Sequence, residues 1–220
     1  MDTSHATPPL TLALETSTAR GSVALIAGDT VLCKLSFTSE RSHNSQIFVP
    51  LREALDAAEG KLARIVVGLG PGSYTGVRIG IAAAQALSWS LQVPVFGLPS
   101  VLAVFGIGIG ASYVVCGDAR RGSFFAAAVA DGRLEEEITL FDAAQLRALR
   151  EADTARPWFT FDDRVPAGIP NVSFNKPSSW ALARQAAQLR DEDVFALEER
   201  PLEPIYLAAP FITQPKAPRH

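Results

Sequence analysis

The sequence predicts an α/β protein made of two copies of a βββαβα unit, the second of them reduced. Residues 10–98 give three short β-type runs followed by alternating helix-type and strand-type patterns, and the same order begins again after Gly106. The halves also share letters at one place in this plan, where "ETSTARGSVALIAGD" stands against "DARRGSFFAAAVADG" and Arg20-Gly21-Ser22 falls on Arg121-Gly122-Ser123. A three-residue match inside the same strand-turn-strand pattern favours internal duplication.

The first unit opens with three β runs over residues 10–38, separated by "ETSTARG" and by the Gly-Asp turn of "GDT". An amphipathic helix over 43–58 follows, with Ile47, Leu51, Leu55 and Ala58 at helical spacing and Gly60 as a stop. Pro50 inside that span removes a backbone donor, so a bend or a later start is expected. "LARIVVGLG" reads as a buried strand, "PGSYT" as a loop, residues 76–91 as a helix and "VPVFGL" as a strand. In the second half, strands flank "GDARRGS" and a third follows the Asp131-Gly132 turn. Helical patterns at 142–151 and 178–190 then enclose short strands near 157–161 and 171–174. The expected organisation is a first lobe over 1–106, a smaller second lobe over 107–204 and a partly disordered tail over 205–220, which is rich in proline.

The net charge of −3 and a pI near 5.6 give no general pull toward nucleic acid, so any RNA contact would need a local patch or a partner's surface. Cys33 and Cys116 lie in apolar β-type runs without CxxC spacing, which fits reduced thiols in a cytosolic protein. The N-terminal "MDTSHATPPL" shows no signal peptide. Residues 95–116 are apolar, but Pro99 and four glycines make them loop, short helix and strand, so no membrane span is expected.

Chemistry is narrowed by elimination. Of three histidines, His5 and His220 stand near the ends, which leaves His43. One imidazole cannot build a zinc or iron site of two or three, and no G-x-S-x-G elbow accompanies it, so neither a metal site nor a catalytic triad is expected. The glycine-rich "GLGPGSYTGVRIG" is no dinucleotide fingerprint, because Gly70, Gly72 and Gly76 give G-x-G-x-x-x-G. Nor is it a P-loop, since Val77 stands where lysine is required. It is a strand-loop-helix junction, with Gly70, Gly72 and Gly76 allowing close backbone approach and Thr75 or Ser73 capping the helix. Gly76, Gly80, Ala83 and Ala84 form a face of small residues, which suits either tight packing on the chain's own sheet or pairing with a partner helix. The two polar turns offer Glu15, Thr16, Ser17 and Asp118 for a nucleotide-phosphate cleft, or are simply ordinary hairpin turns.

Taken together, "LALETSTARGSVAL", "GLGPGSYTGVRIGIAAAQAL", "VPVFGLPSVLAV", "DARRGSFFAA" and "PIYL" resemble the TsaB (YeaZ) family. The resemblance covers most of residues 10–130 and resumes near the tail; "GPGSYTGVRIG" is its specific element. It implies a two-lobed fold of the actin-like, sugar-kinase and Hsp70-like ATPase superfamily. It also implies a non-catalytic subunit that binds and activates TsaD, which transfers a threonylcarbamoyl group to the tRNA adenosine 3′ of the anticodon, with the ATPase TsaE completing the assembly. On this resemblance the chain carries no cofactor or metal of its own, ATP and a metal ion belonging to the partner subunits. It meets tRNA only through the complex, and it pairs with a second copy when TsaD is absent. The first-lobe helices would form the interface, through Ile47, Leu51, Leu55, Val77, Gly80, Ile81 and Ala84. Glu15 stands where relatives have Asp, and residues 131–200 match only loosely. The rival reading is an ATP-dependent small kinase of the same superfamily, which needs a carboxylate base in the cleft. A proteolytic role lacks nucleophile and base motifs.

Overall fold

Residues 8–38, 46–108 and 110–207 are described by the computed structural model. His5, His43, His220 and the tail beyond residue 207 lie outside them.

Short apolar runs bounded by turns make β1 Leu10–Glu15 and β2 Arg20–Ala27 strands, and alternation makes β3 Thr30–Thr38 one. Helix α1 is Phe48–Ala58, so the later start is the one found. Pro50 then stands in the first turn, where its missing N–H breaks no helical bond. Glu59 ends the helix in the left-handed conformation, at φ 50°. Next come β4 Leu62–Gly68, α2 Tyr74–Leu91 and β5 Val95–Leu98. The cap of α2 is Ser73, whose hydroxyl accepts the Gly76 N–H at 3.2 Å. Thr75, the alternative cap, lies inside the first turn.

These strands form one sheet in the order β3-β2-β1-β4-β5, with β4 and β5 parallel to β1. Residues 100–102 form a single 3-10 turn, and the chain then enters the second sheet. Its hairpin is β6 Tyr113–Arg120 with β7 Ser123–Ala130. The expected third strand is split into β8 Arg133–Leu134 and β9 Thr139–Phe141, both paired to β7. Helix α3 Ala143–Ala152 starts from a capping box between Asp142 and Gln145. β10 Trp158–Thr160 and β11 Val172–Phe174 extend the sheet in parallel with β6, and only a 3-10 turn lies between them.

The last helices return to the first lobe. α4 Ser179–Ala187 packs across β1, β2 and β4, and α5 Asp191–Glu198 packs on β5. Leu182, Ala183, Ala186 and Val194 are therefore buried against Ala13, Ile26, Val66 and Phe96 of the first sheet, although they come from the 107–204 span. The opposite face of that sheet is covered by α1 and α2. Each lobe thus has a buried apolar core on both faces of its sheet. Cys33 is half-buried and Cys116 buried; both are free thiols, and burial pushes Cys116 up to about 12.

Candidate functional site

A cleft of about 900 Å³ opens where the polar turns of the two lobes meet. The first lobe contributes Thr16, Ser17 and the glycine loop, and the second contributes Asp118, Arg120 and Asp162. These positions lie at or just past the carboxyl ends of β1, β4, β6 and β10, where α/β sheets present ligand-binding loops.

Asp118 lies in this cleft, as the sequence suggested. Its Oδ1 accepts the Arg120 N–H at 2.6 Å, and its own N–H donates to Asp162 Oδ2 at 2.7 Å. Burial pushes the Asp162 carboxyl above its ordinary value, with the neighbouring Asp118 charge acting in the same direction and the Asp118 N–H opposing it. The Lys176 ammonium lies beside this pair, 2.7 Å from Asp163 Oδ1. Asp162, Asp163 and Lys176 were not singled out from the sequence. No short motif links them to Asp118, but "FDDR" directly after a short parallel strand is the place a switch-point search would examine.

Glu15 is not a cleft residue. Its side chain is fully buried; Oε1 accepts the Ser17 N–H at 2.7 Å, while Oε2 has no hydrogen-bond partner among the described residues. Its carboxyl lies against β4, so that a Cβ on Gly68 would stand 2.1 Å from Oε2. Burial pushes its pKa up, opposed less strongly by the nearby Ser17 and Ser100 hydroxyls and by the Ser17 N–H. A magnesium-nucleotide held between carboxylates of both lobes does not fit: among the described cleft residues the first lobe supplies no Asp or Glu. Thr16 and Ser17 line the cleft but are only 4% and 1% exposed. Among the described residues no group of three His, Cys, Asp or Glu could hold a metal ion.

The glycine loop answers to packing. Added Cβ atoms would stand 2.2 Å from the Ser17 carbonyl at Gly72, 2.2 Å from the Thr16 carbonyl at Gly76 and 2.2 Å from Thr16 Oγ1 at Gly80. The small face of α2 is therefore spent on the chain's own β1–β2 turn, which the Ser73 N–H reaches at 2.7 Å on the Ser17 carbonyl. Gly70 adopts φ +85° in the same loop.

The expected interface set is corrected by this packing. Ile47, Leu51, Val77, Gly80, Ile81 and Ala84 are buried beneath α1 and α2, and Leu55 is half-buried at their edge. An apolar stripe on a helix is covered first by its own sheet. The outward faces of these helices carry Phe48, Val49, Arg52, Arg78, Ala82, Ala86 and Trp89 instead. Trp89 is 76% exposed, and Phe48 and Val49 are 62% and 63% exposed.

A family model described as "TsaD: tRNA N6-adenosine threonylcarbamoyltransferase" matches residues 37–151, just over half of the chain. The chain is 36% identical over 119 residues to the tRNA threonylcarbamoyladenosine biosynthesis protein TsaB of Bacillus subtilis, covering 52% of each chain. It is 36% identical over 94 residues to the protein of the same name from Escherichia coli, covering 41% of this chain and 40% of that one. The matches span about half the length, or less, of these curated relatives. Among solved structures it is similar to YeaZ from Pseudomonas aeruginosa, at 26% identity and TM-score 0.63, over 90% of this chain and all of that one. A Pseudomonas aeruginosa protein described as similar to peptidase YeaZ has the same fold at TM-score 0.69 and 24% identity, over 91% of this chain and 100% of that one.

Proposed function

The chain belongs to the family of that TsaD model and, within it, to the TsaB (YeaZ) group, and from this premise we propose that it serves threonylcarbamoyladenosine synthesis in tRNA as a non-catalytic subunit. In this reading it docks on TsaD through the outer faces of α1 and α2 and activates the transfer of the threonylcarbamoyl group. TsaE joins the assembly, tRNA is met through the complex, and a second copy occupies the same face when TsaD is absent. ATP and metal belong to the partner subunits, and the place of work is the cytoplasm; no helix among the described residues is long and apolar enough to cross a membrane.

The observation that carries the proposal is the outward face itself: exposed Phe48 and Val49 on α1 and exposed Trp89 on the same face of α2 as the small Ala82 and Ala86, on helices whose inner faces are already buried. Large exposed apolar side chains beside small residues suit a close helix-helix contact. Light scattering of the chain with the TsaD of its own organism tests it. An equimolar complex is expected, lost in Ala86→Arg while the circular dichroism is unchanged. A complex indifferent to Ala86→Arg and to Trp89→Ala removes this face from the interface.

The alternative, a small ATP-dependent phosphotransferase, is favoured by one observation, the Asp118–Asp162 pair facing the cleft beside Lys176. ATP hydrolysis by the purified chain, abolished in Asp118→Ala, would establish it over the scaffold reading.

A further inference from the structure

A second groove, of about 490 Å³, runs between β3, an edge of the first sheet, and the segment that follows β11, an edge of the second. Arg20, Lys34 and Lys176 line it, and among the described residues no Asp or Glu does. On a chain of net charge −3 this is a local reversal of sign. Arg20 pairs with Thr38 and Lys34 with Ala24 across the β2–β3 ladder, and alternate residues of paired strands share a face. Arg20 and Lys34 therefore stand on the same side of the sheet, with the Ser22 and Ser36 pair between them. The Lys176 ammonium is already engaged by Asp163, so the positive charge offered is chiefly that of the other two.

The groove also displays aromatic rings. Phe105 is 47% exposed and Phe174 59% exposed. The backbone of Phe105 is clamped by the Asn175 amide, its N–H donating to Oδ1 at 3.1 Å and its carbonyl accepting from Nδ2 at 3.0 Å. Its ring leans on Trp180 at 5.5 Å between centroids, and Lys34 Nζ stands 4.4 Å from the ring centre. The ring is held in place by these contacts and keeps about half of its surface exposed.

We propose that this groove binds a short single-stranded nucleic-acid segment, its phosphates on Arg20 and Lys34 and its unstacked bases on Phe105 and Phe174. An acidic peptide would satisfy the cations and leave the exposed rings without a matching surface, whereas a nucleotide carries an anion and a flat π face on one repeating unit. A duplex keeps its bases stacked and offers only the anions. Arg20 and Lys176 also line the main cleft, so the groove lies beside it. The inference uses this chain alone and does not depend on the docking role proposed above.

Fluorescence anisotropy of the full chain with a labelled single-stranded RNA of about ten nucleotides tests it, at several salt concentrations. Binding that weakens with salt is expected. The double variant Arg20→Glu, Lys34→Glu should lose about tenfold or more and flatten the salt slope. Phe174→Ala, a change at an exposed ring, should lose about fivefold for the single strand and nothing for a matched duplex. Three results would each overturn the proposal: no binding at low salt, binding that ignores these variants while they remain folded, or equal affinity for a duplex or a poly-glutamate peptide.

Discussion

The hairpin turns at the heads of the two lobes make the same local bond and meet opposite fates. In the first, Glu15 Oε1 accepts the N–H two residues on, from Ser17, at 2.7 Å; in the second, Asp118 Oδ1 accepts the N–H two residues on, from Arg120, at 2.6 Å. Such a bond is a property of a carboxylate at a turn and needs no tertiary help. Burial does need it. The first turn lies under the start of α2, where Gly72, Gly76 and Gly80 let the helix settle onto Thr16 and Ser17. In the second lobe only a 3-10 turn follows β10, and Asp118 stays open to the cleft. Which carboxylate can meet a ligand is decided by the element laid over the turn.

The largest effect should come from breaking that cover. Gly76→Ala places a methyl 2.2 Å from a backbone carbonyl that cannot swing away, and a loss of about 3 kcal/mol is expected. In the second lobe, Gly122 has nothing within 4 Å of its Cβ direction but sits at φ +77°, so Gly122→Ala should cost about 1 kcal/mol from backbone strain alone. Thermal or urea melts of the two variants order the turns. Equal losses would mean that the helix does not bear on the first turn.

A smaller effect, with a clear sign, belongs to Glu15. Burial raises its folded pKa above the ordinary value near 4.5, so the folded state holds a proton that the unfolded chain releases. Its contribution is fully present below about pH 4.5 and is lost as pH rises through the raised folded value. Glu15→Gln removes this dependence. The variant should gain stability relative to the parent as pH rises from 5 to 8, whereas an unchanged slope of denaturation midpoint against pH would place the source in another group.

These contrasts also show where the sequence speaks and where it falls silent. Short apolar runs between turns and the stop at Gly60 fix the elements of the first lobe because they act within a few residues. The stripe Ile47, Leu51, Val77, Ile81 and Ala84 is just as legible, yet periodicity cannot say whether a sheet or a partner covers it; here the chain's own sheet does. Chain order puts α4 after the second lobe's strands, while its Leu182 and Ala183 fill the first lobe's core. The acidic "DED" opening α5 marks a helix start that the apolar pattern alone does not reveal. Asp162 meets Asp118 across 44 residues, a distance no local motif spans.

The smallest expected effect concerns the segment that ties both lobes together. Leu202 packs with the first core and Leu207 with the second, and between them the Ile205 N–H donates to the Leu69 carbonyl at 2.8 Å. Tyr206 stacks on Tyr74 at 5.3 Å and accepts Arg78 Nε at 2.9 Å, but it is 43% exposed. Tyr206→Ala should therefore lower global stability by at most about 1 kcal/mol. Its local effect should be larger: hydrogen exchange at Ile205 should quicken, while the Tyr113–Arg120 strand keeps its protection. A melting temperature lowered by several degrees, with exchange rising in both sheets, would instead make this segment the joint on which the two lobes depend.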